Sequence, residues 1–310
     1  MPTNDFEKFL SDLDAQVRSE LANKPEVVDA TSSFDVSTLP IEARRWIRIH
    51  DVVAVFGDLQ NSSRLGSGKH AASTASIYKA AIGSMSKIFD RFDADFVQLQ
   101  GDGGFALFWG NLRYERAVCA GITLRTFSRG IFEGHLERKW PDAPETGFKV
   151  GIASGRTLVK RVGIPRNLEM QEPVWSGNAV NFAAKASQSV DRDDLLVTRS
   201  VWDYISDNDY FTISCGCQNG EPGHNPSPLW TDFTIEKIQP DDPERDGRSL
   251  KSVWCTTCGE SFVSAILSGH KKRPDVESAR AEDLRQRKVA ALNMKHIDSR
   301  NRRYGLALVR

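Results

Sequence analysis

The sequence predicts an α+β fold with a ferredoxin-like core, in which the elements follow the order β-α-β-β-α-β with additional strands. A buried-strand pattern, Ile49–Phe56, runs into a helical pattern, Lys69–Phe92, whose apolar residues recur every three or four positions. Two alternating runs then flank Gly101-Asp102-Gly103-Gly104, a turn sequence typical of a hairpin. Further strand and helix patterns follow, and a small cysteine-rich C-terminal extension, expected to bind zinc, completes the chain.

Composition limits the class of protein. The chain has 310 residues, of which 40% are hydrophobic and 26% charged, so it can bury a full core. Lys plus Arg equals Asp plus Glu, 41 against 41, so bulk charge favours neither a nucleic-acid nor a membrane partner. No apolar run approaches the roughly eighteen residues of a membrane span. The N-terminus is polar and acidic rather than basic and then apolar, which predicts a cytoplasmic protein without a secretory signal.

The sequence divides into four predicted segments. Residues 1–46 hold an amphipathic helix, Asn4–Leu21, in which Asn4 and Glu7 resemble a capping pair, and then a linker, Asn23–Pro40. Residues 47–214 form the core, residues 215–273 the cysteine-rich extension, and residues 274–310 a basic C-terminal helix and tail. That basic run is typical of a solvated face, with a binding role as the alternative.

Within the core, each further element follows from a local pattern of apolar residues and breakers. The predicted elements are a polar loop at Gln60–Gly68, a helix at Leu112–Phe132, a strand at Phe148–Ser154 ending at Gly155 with a hairpin return at Leu158–Val162, a helix opened by Trp175–Asn181 and running to Ser189, a strand at Leu195–Thr198, a helix at Val201–Ile205 and a strand at Phe211–Ser214.

Two carboxylates follow strand patterns in this core. Asp58 ends the first strand, and Asp102 lies at the tip of the predicted hairpin. A carboxylate at a hairpin tip is most often only a turn former. A second carboxylate at the end of a neighbouring strand instead favours a metal site, since hard cations need oxygen ligands brought together from separate elements.

Four motifs in this order resemble those of the class III nucleotidyl cyclases, and together they cover roughly residues 48–205. They are Phe56-Gly57-Asp58 with Asn61-Ser62-Ser63, then Gln100-Gly101-Asp102-Gly103-Gly104, then Lys149-Val150-Gly151-Ile152-Ala153-Ser154-Gly155, and finally Gly177-Asn178-Ala179-Val180-Asn181-Phe182-Ala183-Ala184-Lys185. The resemblance implies the class III cyclase fold and its chemistry, in which the ribose 3′-hydroxyl attacks the α-phosphate and pyrophosphate leaves.

The resemblance also implies roles for individual residues. Asp58, Asp102 and the backbone carbonyl of Leu59 are expected to hold two divalent cations, Mn²⁺ or Mg²⁺. The loop that contains Asn61, Ser62 and Ser63 can offer backbone N–H groups to phosphate oxygens, because it precedes a helix.

A homodimer with shared active sites follows from the same resemblance. Asn181 and Lys185 match the asparagine and arginine that this class uses across the dimer to hold the ribose and stabilise the transition-state phosphate. Their spacing of four places both on one face of a helix. Lysine in place of the usual arginine keeps the charge but loses the bidentate fork. The alternative is an exposed lysine on an ordinary helix.

The expected base-reading positions depart from both purine patterns. Purine cyclases of this class read adenine with Lys and Asp, and guanine with Glu and a small residue. Gln98 and Val174 occupy these positions here. An amide can both donate and accept a hydrogen bond, so Gln98 suits a pyrimidine edge without separating uracil from cytosine.

This departure, the compact size and the cysteine-bearing extension resemble the bacterial Pycsar antiphage cyclases, which make cyclic UMP or cyclic CMP. The resemblance implies conversion of UTP to 3′,5′-cyclic UMP, with an effector protein reached through the cyclic nucleotide rather than by direct contact and with a phage-derived trigger. Alternatives are a cytidylate cyclase, then an adenylate or guanylate cyclase, and then a non-catalytic nucleotide-sensing or nucleic-acid-binding module. A degenerate nucleotide sensor predicts the loss of one metal aspartate, whereas Asp58 and Asp102 are both present.

Five cysteines suit a metal site in a reducing compartment better than a disulfide framework. Cys119 is isolated, whereas Cys215-Gly216-Cys217 and Cys255-Thr256-Thr257-Cys258 form two close pairs. Four thiolates from Cys215, Cys217, Cys255 and Cys258 suit a structural, tetrahedral Zn²⁺. The alternatives are reduced cysteines without a ligand, or replacement of one cysteine by His224 or His270.

Overall fold

The computed structural model describes residues 5–32, 34–41, 43–66, 68–217, 227–252 and 254–303. These residues form a nine-stranded mixed sheet with helices on both faces. Its strands are β1 (Glu26–Asp29), β2 (Arg45–Leu59), β3 (Phe96–Gln100), β4 (Gly103–Phe108), β5 (Phe148–Gly163), β6 (Gln171–Gly177), β7 (Leu195–Val197), β8 (Trp230–Thr234) and β9 (Asp246–Leu250). The strand order is β3-β4-β2-β5-β7-β9-β8, with β1 paired to β2 and β6 paired to β5.

The described residues form the predicted helices and three further short ones, at residues 133–139, 209–212 and 256–267. These helices are α1 (Phe6–Ala22), α2 (Ala71–Arg91), α3 (Arg113–Thr126), α4 (Glu133–Lys139), α5 (Asn178–Ser187), α6 (Arg199–Ile205), α7 (Asp209–Thr212), α8 (Thr256–Leu267) and α9 (Pro274–Arg303). The helix predicted over Leu112–Phe132 is interrupted, because Phe127–Phe132 is a π-helical turn that joins α3 to α4. The α+β fold class is confirmed.

Each face of the sheet supports its own hydrophobic cluster. On one face α2, α3 and α8 bury large side chains such as Phe89 and Ile122 against β2, β4 and β5. On the other face α5 lays Ala179, Ala183 and Ala186 on the sheet. Successive residues of a strand point to opposite faces, so β2 contributes to both clusters. We refer to these as the α3 face and the α5 face.

Strand β5 is longer than predicted. It runs unbroken from Phe148 to Gly163, and Gly155 stays in the ladder opposite Val52 of β2. The prediction of a strand ending at Gly155 with a return at Leu158–Val162 is therefore wrong. The hairpin partner is β6, which pairs with the second half of β5. A glycine in an extended strand breaks nothing when strands on both sides pair with its neighbours.

Three other local predictions are corrected. Asn23–Pro40 is more than a linker, because it contains β1, which pairs in parallel with β2. Phe211–Ser214 is not a strand, because the side chain of Asn208 accepts a hydrogen bond from the Tyr210 N–H and caps the short helix α7 instead. The cap of α1 is Asp5, which accepts from the Lys8 N–H at 3.0 Å, whereas Asn4 lies outside the described residues.

The sheet continues beyond residue 214. Strand β9 pairs with β7, and β8 pairs with β9, so the cysteine-bearing segment adds two strands to the core sheet. Helix α8 then returns to the α3 face, where Phe262 and Ile266 are buried. Among the described residues, no helix is both long and apolar enough to cross a membrane.

Candidate active site

The end of β2 and the β3–β4 hairpin bring Asp58 and Asp102 together. Asp58 pairs in register with Gly103 of β4, and the Leu59 N–H donates to the Asp102 carbonyl at 3.1 Å. A β-carbon on Gly103 would lie 2.7 Å from the Gly57 carbonyl oxygen, so only glycine allows this approach of the two strands. The turn itself depends on Gly101, which has a φ of +60°. The predicted hairpin and the adjacency of the two aspartates are therefore observed.

The loop after β2 is attached to both aspartate-bearing elements. The Ser62 hydroxyl donates to the Asp102 carboxylate, and the Tyr78 hydroxyl of α2 lies 3.4 Å from the Ser62 carbonyl. Asn61 adopts a left-handed conformation with a φ of 58°, and its side-chain amide donates to the Glu145 carbonyl at 2.9 Å. Ser63 is exposed. Thus Ser62 points at a predicted metal ligand, whereas the Asn61 side chain anchors the loop.

Lys149 is a site residue that the sequence reasoning missed. It stands opposite Asp58 in the β2–β5 register, and its ammonium nitrogen lies 2.7 Å from a carboxylate oxygen of Asp58. Both side chains are largely buried, with 18% of Lys149 and 29% of Asp58 exposed. Lys149 begins the third motif, so pairing the motif strands in register would have found it.

The predicted base-reading residues lie on strands that are not neighbours. Gln98 is half-buried on β3 opposite Phe105, and Val174 is exposed on β6 opposite Lys160. Phe96 packs on the α5 face, so Gln98, two residues later, points to that face too. Within one chain, β3 and β6, the strands that carry these two positions, do not pair with each other.

Asn181 and Lys185 lie on α5, one turn apart as predicted. Asn181 is exposed, and the Lys185 ammonium lies 5.4 Å from the centre of the Phe182 ring. Among the described residues, neither side chain has a hydrogen bond or ion pair to Asp58 or Asp102.

An acidic cluster supports the loop from behind. Arg192 forms ion pairs with Glu133 and, at 3.0 Å, with Glu145, whose carbonyl anchors Asn61. Burial, together with a hydrogen bond to Asp193, raises the pKa of Glu133 to about 7. The loop is therefore linked, through Glu145 and Arg192, to a carboxyl group, Glu133, whose charge changes near neutral pH.

The two cysteine pairs meet at a second location. The sulfur atoms of Cys215, Cys217, Cys255 and Cys258 all lie within 4.8 Å of one another, a spacing at which they could hold a metal ion. His270 is not in this group, and its Nδ1 lies 3.2 Å from the Ala265 carbonyl oxygen. His224 lies outside the described residues.

Solved structures with the same architecture define the fold. A class III adenylyl cyclase-like ATP-binding protein from Pseudomonas aeruginosa matches with a TM-score of 0.52 at 17% identity, over 90% of this chain and 52% of that one. An adenylyl cyclase from P. aeruginosa matches with a TM-score of 0.50 at 16% identity, over 66% of this chain and 93% of that one. The protein has the class III nucleotidyl cyclase fold.

Sequence relatives narrow this class. A uridylate cyclase of Micromonospora echinofusca is 52% identical over 280 residues, which cover 90% of each chain. A uridylate cyclase of Propioniciclava tarda is 43% identical over 305 residues, which cover 97% of each chain. The chain belongs to the uridylate cyclase family. No family model matches it.

Proposed function

We propose that the chain converts UTP to 3′,5′-cyclic UMP and pyrophosphate. The 3′-oxygen forms a bond to the α-phosphorus, the bond from that phosphorus to the bridging oxygen of the β-phosphate breaks, and the 3′-hydroxyl proton leaves to solvent. The observation that carries the proposal is the juxtaposition of Asp58, at the end of β2, and Asp102, in the turn between β3 and β4. Membership of the uridylate cyclase family supports UTP as the substrate.

The donor set of the site fits two Mn²⁺ or Mg²⁺ ions. Two carboxylates from adjacent elements, Asp58 and Asp102, together with the Leu59 carbonyl, are hard oxygen donors of the kind that these cations prefer. When bound, such cations lower the pKa of the 3′-hydroxyl and neutralise the triphosphate charge.

The remaining groups of this site are suited to phosphate. Lys149 supplies a positive charge at the carboxylate pair, and the loop of Asn61, Ser62 and Ser63 lies beside it at the start of a helical turn. We assign the triphosphate to this end of the sheet, where the lysine and the loop N–H groups can bind its oxygens.

Base selection is assigned to Gln98 and Val174. When a nucleotide binds, the half-buried amide of Gln98 loses its hydrogen bonds to water. A base with matching hydrogen-bond groups replaces those bonds, whereas a base that leaves the amide unpaired binds less favourably. Gln98 and Val174 are both uncharged, so this chain lacks the charged groups that the class III resemblance assigns to purine selection.

The purified chain with Mn²⁺ and each of UTP, CTP, ATP and GTP in turn tests the proposal. Chromatography and mass spectrometry should find cyclic UMP as the main product, and Asp102→Ala should abolish it. Preferential turnover of CTP would support the cytidylate alternative. Turnover of ATP or GTP without UTP or CTP would refute the pyrimidine assignment, and no product from any nucleotide would favour a non-catalytic module.

We further propose a homodimer in which Asp58 and Asp102 of one chain work with Asn181 and Lys185 of the other. Helix α5 packs on β5 and β2, whereas the aromatic side chains of Phe56, Phe96 and Phe105 stay only partly buried on the same face. A second copy would cover these aromatic side chains and supply the missing asparagine and lysine.

Mixing two inactive chains tests this arrangement. Asp102→Ala and Asn181→Ala chains are each inactive alone, but a heterodimer keeps one site with both residues intact. Random exchange at equal concentrations should restore about one quarter of the wild-type activity, since half of the dimers are mixed and each has one working site. No recovery, with mixed dimers verified by mass spectrometry, would contradict shared sites.

We propose that the cyclic UMP is made in the cytosol as an antiphage second messenger, acting on an effector protein without direct contact between the two proteins. The Pycsar resemblance supports this role, and the clustered thiols suit a reducing compartment. Cells that express the wild-type chain should accumulate cyclic UMP after phage infection, and cells with the Asp102→Ala chain should not. Equal levels before and after infection would contradict a phage trigger.

A further inference from the structure

We infer that the four cysteines form a structural zinc site that fixes the C-terminal part of the chain to the cyclase core. The ligands come from two segments that lie about forty residues apart in sequence. Cys215 and Cys217 follow α7, and Cys255 and Cys258 open α8. Their four sulfurs converge within 4.8 Å of one another.

The spacing of the sulfurs fits tetrahedral coordination. A Zn–S bond is about 2.3 Å long, so two sulfurs on the corners of a tetrahedron lie roughly 3.8 Å apart. The Cys217 and Cys258 sulfurs are separated by 3.7 Å. A disulfide would need about 2.05 Å between them. The observed separation therefore suits two ligands of one ion and not a covalent bond.

The chemistry of the ligand set selects the metal. Four sulfur donors are soft ligands, which disfavour the Mg²⁺ or Mn²⁺ expected at Asp58 and Asp102 and favour Zn²⁺. All four side chains are also only partly buried, so the ion can enter from solvent.

Local structure already prepares half of the site. The Cys255 sulfur caps α8, where it accepts a hydrogen bond from the Cys258 N–H at 3.3 Å. The cap and the first turn of α8 thus fix both Cys255 and Cys258 before a metal binds.

Aromatic contacts join both cysteine segments to the α3 face. Trp254, just before Cys255, stacks on Phe211 of α7 at 6.3 Å and donates its indole N–H to the Tyr210 carbonyl at 2.9 Å. Phe262 of α8 lies edge-on to Trp254 at 6.0 Å. A metal at the cysteines would therefore hold α7 and α8 together at the point where both meet the core.

The site is remote from the candidate active site. Leu59 follows Asp58, Phe148 precedes Lys149, and both apolar residues belong to the α3-face cluster. Asp58 and Lys149 therefore point to the α5 face, whereas α8 packs on the α3 face. Zinc here closes a loop of about forty residues that contains β8 and β9, which restricts the unfolded chain. Its role is stability rather than cyclisation.

Metal analysis of the full chain, purified without chelator under reducing conditions, tests the inference. We expect one zinc per chain by mass spectrometry, and a Co²⁺-substituted sample should show the visible bands of a tetrahedral thiolate site. Cys217→Ser should lose most of the zinc and lower the Tm. Cys119→Ser is the matched control, because Cys119 is buried in α3 and is not one of the four grouped cysteines, and it should keep the zinc.

The outcomes separate this inference from the proposed function. Should Cys217→Ser fail to fold, titration of the wild-type chain with a mercurial should release one zinc for four reacting thiols. A wild-type chain without zinc that also gives no tetrahedral Co²⁺ spectrum would overturn the inference. Full zinc content in a folded Cys217→Ser chain would do the same. None of these readouts depends on cyclase activity, so zinc can be present in a chain that cyclises nothing, and absent from one that makes cyclic UMP.

Discussion

Replacing Lys149 with methionine should strengthen the binding of Mn²⁺ and lower the unfolding free energy of the metal-free protein. The Lys149 ammonium lies 2.7 Å from an Asp58 carboxylate oxygen, where a metal ligand is predicted. A cation that binds Asp58 must displace this ammonium and is then repelled by its positive charge. Methionine keeps the volume of the aliphatic stem and removes the competitor, so the carboxylate becomes free for the metal.

The structure sets the size of both effects. The pair is partly exposed, so its Coulomb attraction is largely offset by dehydration and leaves about 1 kcal/mol. Metal-free Lys149→Met should therefore lose about 1 kcal/mol of unfolding free energy, a fall of roughly 2 °C in Tm. The same 1 kcal/mol, no longer lost on displacement, corresponds to about fivefold tighter Mn²⁺ binding. Turnover of UTP should fall, because the phosphates lose a cation.

Calorimetric titration of Mn²⁺ without nucleotide, at fixed ionic strength, measures the binding constant. Lys160→Met on the same strand is the control, because Lys160 donates to the Ala43 carbonyl at 2.6 Å and should leave Mn²⁺ binding unchanged. Unchanged or weaker Mn²⁺ binding by a folded Lys149→Met chain would refute the competition between ammonium and cation at Asp58.

Three other changes test the site and its support. Gly103→Ala puts a β-carbon 2.7 Å from backbone on the facing strand and should cost about 1–3 kcal/mol of unfolding free energy in denaturant titrations; Gly83→Ala, in a helix with open space, should stabilise, and equal effects would contradict the clash. Burial raises the pKa of Glu133 from 4.5 to about 7, so the folded state binds this proton more tightly than the unfolded state does. The stability that this proton contributes is therefore lost as the pH rises across that interval. Glu133→Gln should flatten the dependence of the unfolding free energy on pH, and an unchanged profile would contradict this role of Glu133. Gln98→Lys with Val174→Asp, the adenine pair of the purine pattern, should raise the kcat/KM ratio of ATP to UTP by about tenfold or more, and an unchanged ratio would remove these positions from base selection.

Local signals predicted the aspartate pair correctly. A strand that ends at Asp58 and a glycine-rich turn before β4 are both short-range features, so the adjacency of Asp58 and Asp102 needed only one pairing between them. The cysteine cluster was predicted for a similar reason, since four thiols in two pairs have few other uses in one chain.

Features that depend on distant partners were missed or misjudged. Lys149 becomes a site residue only through the register of β2 and β5, which no local pattern specifies. Gly155 resembled a strand end because its pairing with Val52 and the neighbouring pairing with β6 lie far away in sequence. The apolar run at Phe211–Ser214 was too short to separate a strand from a helix, and the Asn208 cap decided for the helix.

The alternation of strand β2 explains how one chain can be stable and still keep a charged site. Gly57 and Leu59 face the α3 side, where Leu59 is buried beside Phe148, while Asp58 between them faces the α5 side with Lys149. The α3 face of the sheet therefore supplies stability, and the α5 face carries the charged site. Large apolar side chains can fill the α3 face, and zinc can fix α8 there, without changing the polar groups opposite. The α5 face leaves Asp58 and the aromatic side chains only partly covered, which is the state expected of a surface that a second copy completes.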